Sequence, residues 1–143
     1  MKVYLDNYCF NRPFDDQRSM VVYLETKSKL TIQGMIKNGH LKLIWSEILD
    51  FENNENPFIE RKTKISEWKF WAVENIEMND FIFEKAKDLL KSGLRQKDAS
   101  HIACAISGNA NYFVTTDKKI LNKEIKNIEI INPIDLIRRL YAD

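Results

Sequence analysis

Four carboxylates hold positions where they could do chemistry: Asp6, Glu52, Asp98 and Asp117. Asp6 closes the apolar run Val3-Tyr4-Leu5, and Asp117 follows Tyr112-Phe113-Val114-Thr115-Thr116. Aspartate is depleted in and beside buried strands, so an acid at such a strand end calls for a reason. In an open parallel α/β sheet, the carboxyl ends of the strands line the crevice where ligands bind. Glu52 is expected on the helix after the second strand, and Asp98 at the opening of a helix rich in small residues. Acids pooled in one crevice repel each other, and some stay protonated near neutral pH unless a cation joins them. Oxygen donors suit Mg²⁺ or Mn²⁺ rather than zinc. Such an ion turns water into a nucleophile and stabilises charge on a phosphoryl group. Asn7, Ser46 and Thr116 could add neutral oxygens.

Each acid also has an ordinary reading. Asp98 suits a helix first turn, and Asp117 suits a cap for a helix opening at Lys118. Glu52 has Glu47, Asp50 and Glu55 as neighbours and could sit on a solvated helix face. The joint arrangement is what points to a site. An anionic polymer held there would need cations, and Arg12, Arg95, Lys97, Lys118 and Lys119 flank the acids in sequence. Ordinary solvated surface is the alternative for each. A metal-free ribonuclease would instead use histidines as acid and base. The chain has two, His40 beside Gly39 and His101 one turn after Asp98. His101 is read as structural or as supporting a neighbouring acid.

These residues are positioned by alternating strands and helices. Residues 2–5 predict a strand, Asn11 to Asp16 a loop, and 17–38 a long helix with a possible break near Thr31, ended by Asn38-Gly39. Residues 41–45 predict a second strand, and Ser46 caps the helix carrying Glu52. Pro57 opens another helix reaching about Phe70, and 72–77 read as a weak strand. Asn79 or Asp80 caps a helix over 81–92, and Lys97 to Ser107 form the small-residue helix. Strands at 112–115 and 128–131 follow, then a helix over 133–141 opened by Pro133. The economical architecture is α/β, three layers α/β/α around a central parallel sheet. Trp68, Phe70 and Trp71 are assigned to the core by default, and an exposed patch there would point to a protein partner.

With 143 residues, 44% of them hydrophobic and 30% charged, the chain is expected to form a single domain over 1–143. A net charge of +1 neither favours nor excludes nucleic acid. Cys9 and Cys104 are read as buried hydrophobes, not as a disulfide or zinc site. No secretory signal and no membrane-spanning run is read, so the expected location is the cytoplasm.

Three stretches carry a resemblance to a known family. They are Leu5-Asp6-Asn7 with Phe10-Asn11-Arg12-Pro13-Phe14-Asp15-Asp16, then Ser46-Glu47-Ile48-Leu49-Asp50-Phe51-Glu52, then Lys97-Asp98-Ala99-Ser100-His101-Ile102-Ala103-Cys104-Ala105 running on through Asn111 to Asp117. In order and spacing the chain resembles the PIN domain, the nuclease fold shared by VapC-like toxins and several RNA-processing enzymes. The resemblance implies an endoribonuclease that uses Mg²⁺ or Mn²⁺ to hydrolyse RNA phosphodiesters. It implies catalytic Asp6, Glu52, Asp98 and Asp117, with metal on Asp6, Asp98 and Asp117. RNA contacts then fall to Asn7, Arg12, Thr116, Lys118 and Lys119. It also implies a homodimer and a cognate antitoxin, as for the toxin of a toxin–antitoxin pair. Many members follow the first Asp with Thr or Ser and then Asn, whereas here Asn7-Tyr8 stand. The alternative is a PIN-like module that binds RNA or protein without cutting.

Overall fold

The computed structural model describes residues 1–142. Five strands, β1 (Lys2–Leu5), β2 (Lys42–Ser46), β3 (Ala72–Ile76), β4 (Tyr112–Val114) and β5 (Glu129–Ile131), form one sheet in the order β3-β2-β1-β4-β5. Every neighbouring pair is parallel. Parallel strands need covered faces and read as continuous apolar runs. Val3, Tyr4, Leu5, Leu43, Ile44, Trp45, Phe113 and Val114 meet that need, each fully buried.

The helices are α1 (Asn7–Asn11), α2 (Met20–Lys37), α3 (Glu47–Asn54), α4 (Ile59–Glu67), α5 (Asp80–Leu90), α6 (Gln96–Ser107), α7 (Lys118–Leu121) and α8 (Pro133–Leu140). Chain order moves one way from β1 to β3, then jumps back across β1 to β4. Right-handed crossovers that reverse direction put their helices on opposite faces. Accordingly α2 packs on α8 and α5 packs on α6, giving three layers, α/β/α. The reversal lies between β1 and β4, and the crevice beyond that switch point is the expected ligand site.

Local sequence explains most boundaries. Ser19 caps α2 with its hydroxyl, whereas Asp16 pairs with Arg18 in the preceding loop. No break interrupts α2 at Thr31, whose exposed hydroxyl donates to the Lys27 carbonyl at 3.0 Å. Gly39 takes φ 79°, where a side chain is strained, and turns the chain into β2. Asn7–Asn11 form α1, which the sequence reading does not anticipate, and within the stretch read as a loop, Asn11 to Asp16, Arg12–Phe14 tighten into a 3-10 turn. The helix expected to reach Phe70 stops at Glu67 and tightens into a 3-10 turn at Trp68–Trp71. There the core assignment fails: Phe70 is 89% and Trp71 46% exposed.

Small residues let α6 approach the sheet. Ala99, Ala103, Cys104 and Ala105 are buried, and a Cβ on Gly108 would lie 2.9 Å from Ile44. Both cysteines are free and buried. Among the described residues no helix is long and apolar enough to cross a membrane.

Candidate functional site

Asp6 leaves β1 directly into α1 and caps that helix, its Oδ1 accepting from the Cys9 amide at 3.0 Å. The residue is 2% exposed. Its second oxygen, Oδ2, is buried with no hydrogen-bond partner, and so is Oδ1 of Asn7. Burial pushes the Asp6 carboxyl up to about 7, against the pull of Thr115, the Cys9 amide and His101. The nearby charge of Glu52 pushes the same way.

Asp98 stands in the first turn of α6, and Asp117 caps α7 through the Lys119 amide. One guanidinium spans both. Arg95 donates from Nε to Asp98 Oδ2 at 3.0 Å and from a terminal nitrogen to Asp117 Oδ2 at 3.3 Å. The same terminal nitrogen reaches the Tyr8 hydroxyl at 2.8 Å. Arg95 was read as a cation for substrate; it already serves the acids of its own chain.

Glu52 faces the other way, onto His101. Behind it runs a buried chain of hydrogen bonds. Leu49 N–H donates to Ser46 Oγ at 3.3 Å; Ser46 Oγ and the Tyr4 hydroxyl are 2.6 Å apart, as are that hydroxyl and His101 Nδ1. Burial raises the Tyr4 phenol well above its ordinary value, so it keeps its proton. One direction of donation satisfies every atom: Ser46 to Tyr4, Tyr4 to His101 Nδ1, His101 Nε2–H to Glu52. Burial alone would push the Glu52 carboxyl up. The His101 hydrogen bond, with help from Lys97, more than offsets it and holds the group below its ordinary value. Glu52 is therefore an ionised, oriented carboxylate.

Asn7, Tyr8, Glu52, Arg95, Lys97 and Asp98 line a cleft of about 430 Å³. An adjoining cleft of about 320 Å³ shares Arg95 and Asp98 and is bordered by Lys119 and Lys123. The expected metal group is not assembled. Among the described residues no three His, Cys, Asp or Glu side chains stand close enough to hold a metal ion. The physical reason is visible: Arg95 occupies the oxygens of Asp98 and Asp117, and Glu52 is turned onto His101.

The remaining residues sort by their contacts. Arg12 is held by Glu25 at 2.9 Å and Asp15 at 3.2 Å, which makes it a strut between the 3-10 turn and α2. Thr116 is buried, and it is Thr115 whose hydroxyl accepts from the Asp117 amide at 3.1 Å. Lys118 and Lys119 are exposed and have no ion-pair partner among the described residues. Lys97 pairs loosely with Glu55 at 3.7 Å. Tyr4 escaped the sequence reading because a tyrosine inside an apolar run looks like core. Its hydroxyl was the signal, since a buried one demands partners.

A three-layer α/β/α domain with this parallel strand order and strand-end acids is of the PIN-like class of fold. A chain in the crystal structure of VapBC2 from Rickettsia felis, bound to a DNA fragment from their promoter, is similar to it. The TM-score is 0.55 at 18% identity, covering 92% of this chain and 98% of that one. The likeness is one of fold. No family model matches the chain. No curated protein matches it significantly either.

Proposed function

We propose that this chain is a PIN-like RNA-binding module. The observation that carries the reading is Arg95 lying across Asp98 and Asp117, so that the negative charge of these two acids is partly offset from within and the metal cradle is closed. A backbone phosphate can approach a crevice whose acids are partly paired, where Lys97 lines the cleft and Lys119 and Lys123 border the adjoining one, with exposed Lys118 next in sequence to Lys119. The test is anisotropy of a labelled single-stranded RNA in EDTA at several salt concentrations. Binding that weakens with salt is expected. Failure to bind at low salt would end this reading.

One observation favours a second reading, in which the same crevice cuts RNA with Mg²⁺ or Mn²⁺. Asp6 Oδ2 and Asn7 Oδ1 are buried acceptors without donors, the condition a cation relieves. Asp6 would hold the ion, joined by Asp98 and Asp117 when Arg95 withdraws. When bound, the ion would lower the pKa of water and offset charge on the phosphoryl group. Glu52, kept ionised by His101, would accept a proton from that water. Asn7 would align the scissile phosphate, and Lys118 and Lys119 would hold the strand.

Under this reading the chain is the toxin of a toxin–antitoxin pair, a cytoplasmic homodimer restrained by a protein partner. Its fold-level likeness to a chain of the VapBC2 structure supports that proposal. Cleavage that needs Mn²⁺ or Mg²⁺, stops in EDTA and is lost in Asp6→Asn would establish it. Intact RNA after prolonged incubation with metal would leave the binding module.

A further inference from the structure

Lys29 is an anomaly. It sits in the middle of α2 and is 3% exposed, yet it makes no ion pair and no hydrogen bond among the described residues. The carboxylate one turn earlier, Glu25, is already taken by Arg12 at 2.9 Å. Burying an unpaired ammonium is costly, and burial pushes this one down to about 7, only weakly opposed by Cys9. What surrounds it is aromatic. Its Nζ lies 5.1 Å from the Phe10 ring centre and 5.7 Å from that of Trp68. Lys37, two turns on, rests on the same indole at 5.2 Å and on Trp71 at 5.6 Å. Cation–π contact accounts for part of this placement. It does not explain why two ammonium groups gather at one tryptophan.

Both lysines open into a cavity of about 340 Å³, together with Lys64 and a single acid, Glu67. None of the three lysines is ion-paired among the described residues. With Lys29 about half protonated near pH 7, the three lysines against one glutamate leave the cavity short of between one and two negative charges, and an entering anion would draw Lys29 to its charged form. A phosphomonoester supplies about that charge on one group at neutral pH, whereas a lone carboxylate supplies one. The volume exceeds that of a bare phosphate and falls at the small-ligand end of the pocket range, from roughly 300 Å³. So the anion comes with a body attached. Trp71 lines the cavity and is 46% exposed, which leaves part of its ring open for a base to stack on beside Lys37.

We propose that the cavity between α2 and the Trp68–Trp71 turn binds a nucleoside monophosphate unit through its terminal phosphate. Lys29 and Lys37 contact the phosphate, Lys64 closes over it, and the base lies against Trp71. The unit is either a free nucleotide or the 5′-phosphorylated end of an RNA strand. The cavity shares no lining residue with the acidic crevice, so this inference stands or falls apart from the proposed function.

The test follows tryptophan fluorescence in EDTA, so that no metal-dependent cleavage can occur. The probes are AMP, adenosine, inorganic phosphate, and one short RNA with either a 5′-phosphate or a 5′-hydroxyl. AMP should quench saturably, adenosine should not, and phosphate should compete. Lys29→Met keeps the apolar stem and removes the charge; it should weaken AMP at least tenfold. Lys37→Gln, at an exposed position, should weaken AMP severalfold and serves if Lys29→Met does not fold. A preference of tenfold or more for the 5′-phosphorylated RNA assigns the site to RNA ends. Equal binding of the two RNAs, with AMP still bound, assigns it to the free nucleotide. The proposal is overturned if neither AMP nor the 5′-phosphorylated RNA quenches, if adenosine matches AMP, or if both lysine variants bind like the parent.

Discussion

Arg95 and Asp98, three residues apart at the opening of α6, form an ion pair at 3.0 Å whose acid is buried and whose base is exposed. The guanidinium can leave without disturbing the core; the carboxylate cannot. Under the metal-dependent reading proposed above, Arg95 would hold the place of a divalent ion and compete with one. Because the arginine is solvent-screened, Arg95→Gln should tighten Mn²⁺ only about two- to fivefold, the range that exposed pairs contribute. Calorimetric titration with Mn²⁺ checks this. Unchanged affinity would show that Arg95 does not guard the site.

Asp6 makes stability depend on pH. Its folded carboxyl is raised to about 7, above the ordinary value near 4. Between these limits the folded state binds more protons than the unfolded state, so stability falls as pH rises through that window. Below about pH 4 both states are protonated and the penalty vanishes. Asp6→Asn should therefore stabilise the protein at pH 8, by up to about 4 kcal/mol, read as a higher melting temperature, and change little at pH 4. Mn²⁺ should reproduce much of that gain in the parent at pH 8. Thermal melts with and without metal decide it.

Tyr4→Phe removes the central link of the chain joining Ser46 to His101. Two buried polar atoms then lose a partner, at about 1–3 kcal/mol. His101 is freed to turn, and the Glu52 carboxyl should rise towards its ordinary range. Carboxyl titration by NMR, read beside the melting temperature, separates that rise from a mere loss of stability.

Lys118→Ala with Lys119→Ala should leave the fold intact, because both side chains are exposed. If both neutralise phosphates, the slope of log affinity for single-stranded RNA against log salt should fall by about 1.4, from roughly 0.7 per contact. An unchanged slope would remove them from the interface. Arg12→Ala, by contrast, should destabilise α2 by freeing the buried Glu25 and leave the slope alone.

Strand and helix order was legible because burial follows period. Val3-Tyr4-Leu5 and Tyr112-Phe113-Val114 read as strands and are strands. The small residues of α6 announced a helix close to the sheet, and Gly108 touching Ile44 is that closeness. The turn after Asp6 was less legible. Asn11-Arg12-Pro13 has loop composition, but the Asp6 cap and the buried Cys9 and Phe10 form α1 up to Asn11, and Arg12 and Pro13 continue as a 3-10 turn. Phe70 and Trp71 misled for the opposite reason: large aromatics signal burial, and of the three only Trp68 packs against the core, while the 3-10 turn leaves Phe70 in solvent and Trp71 half exposed.

The residues alone determined that acids would stand at strand ends, since an aspartate after a buried strand can only emerge at the sheet's edge. They determined the parallel α/β layering for the same kind of reason. Which acid meets which partner was decided only in three dimensions. Arg95 finds Asp117 across 22 residues, His101 finds Glu52 across 49, and Tyr4 finds His101 across 97. Hydrophobic period tells a side chain which face to seek. It says nothing of the neighbour waiting there, because that neighbour is set by how separate elements pack.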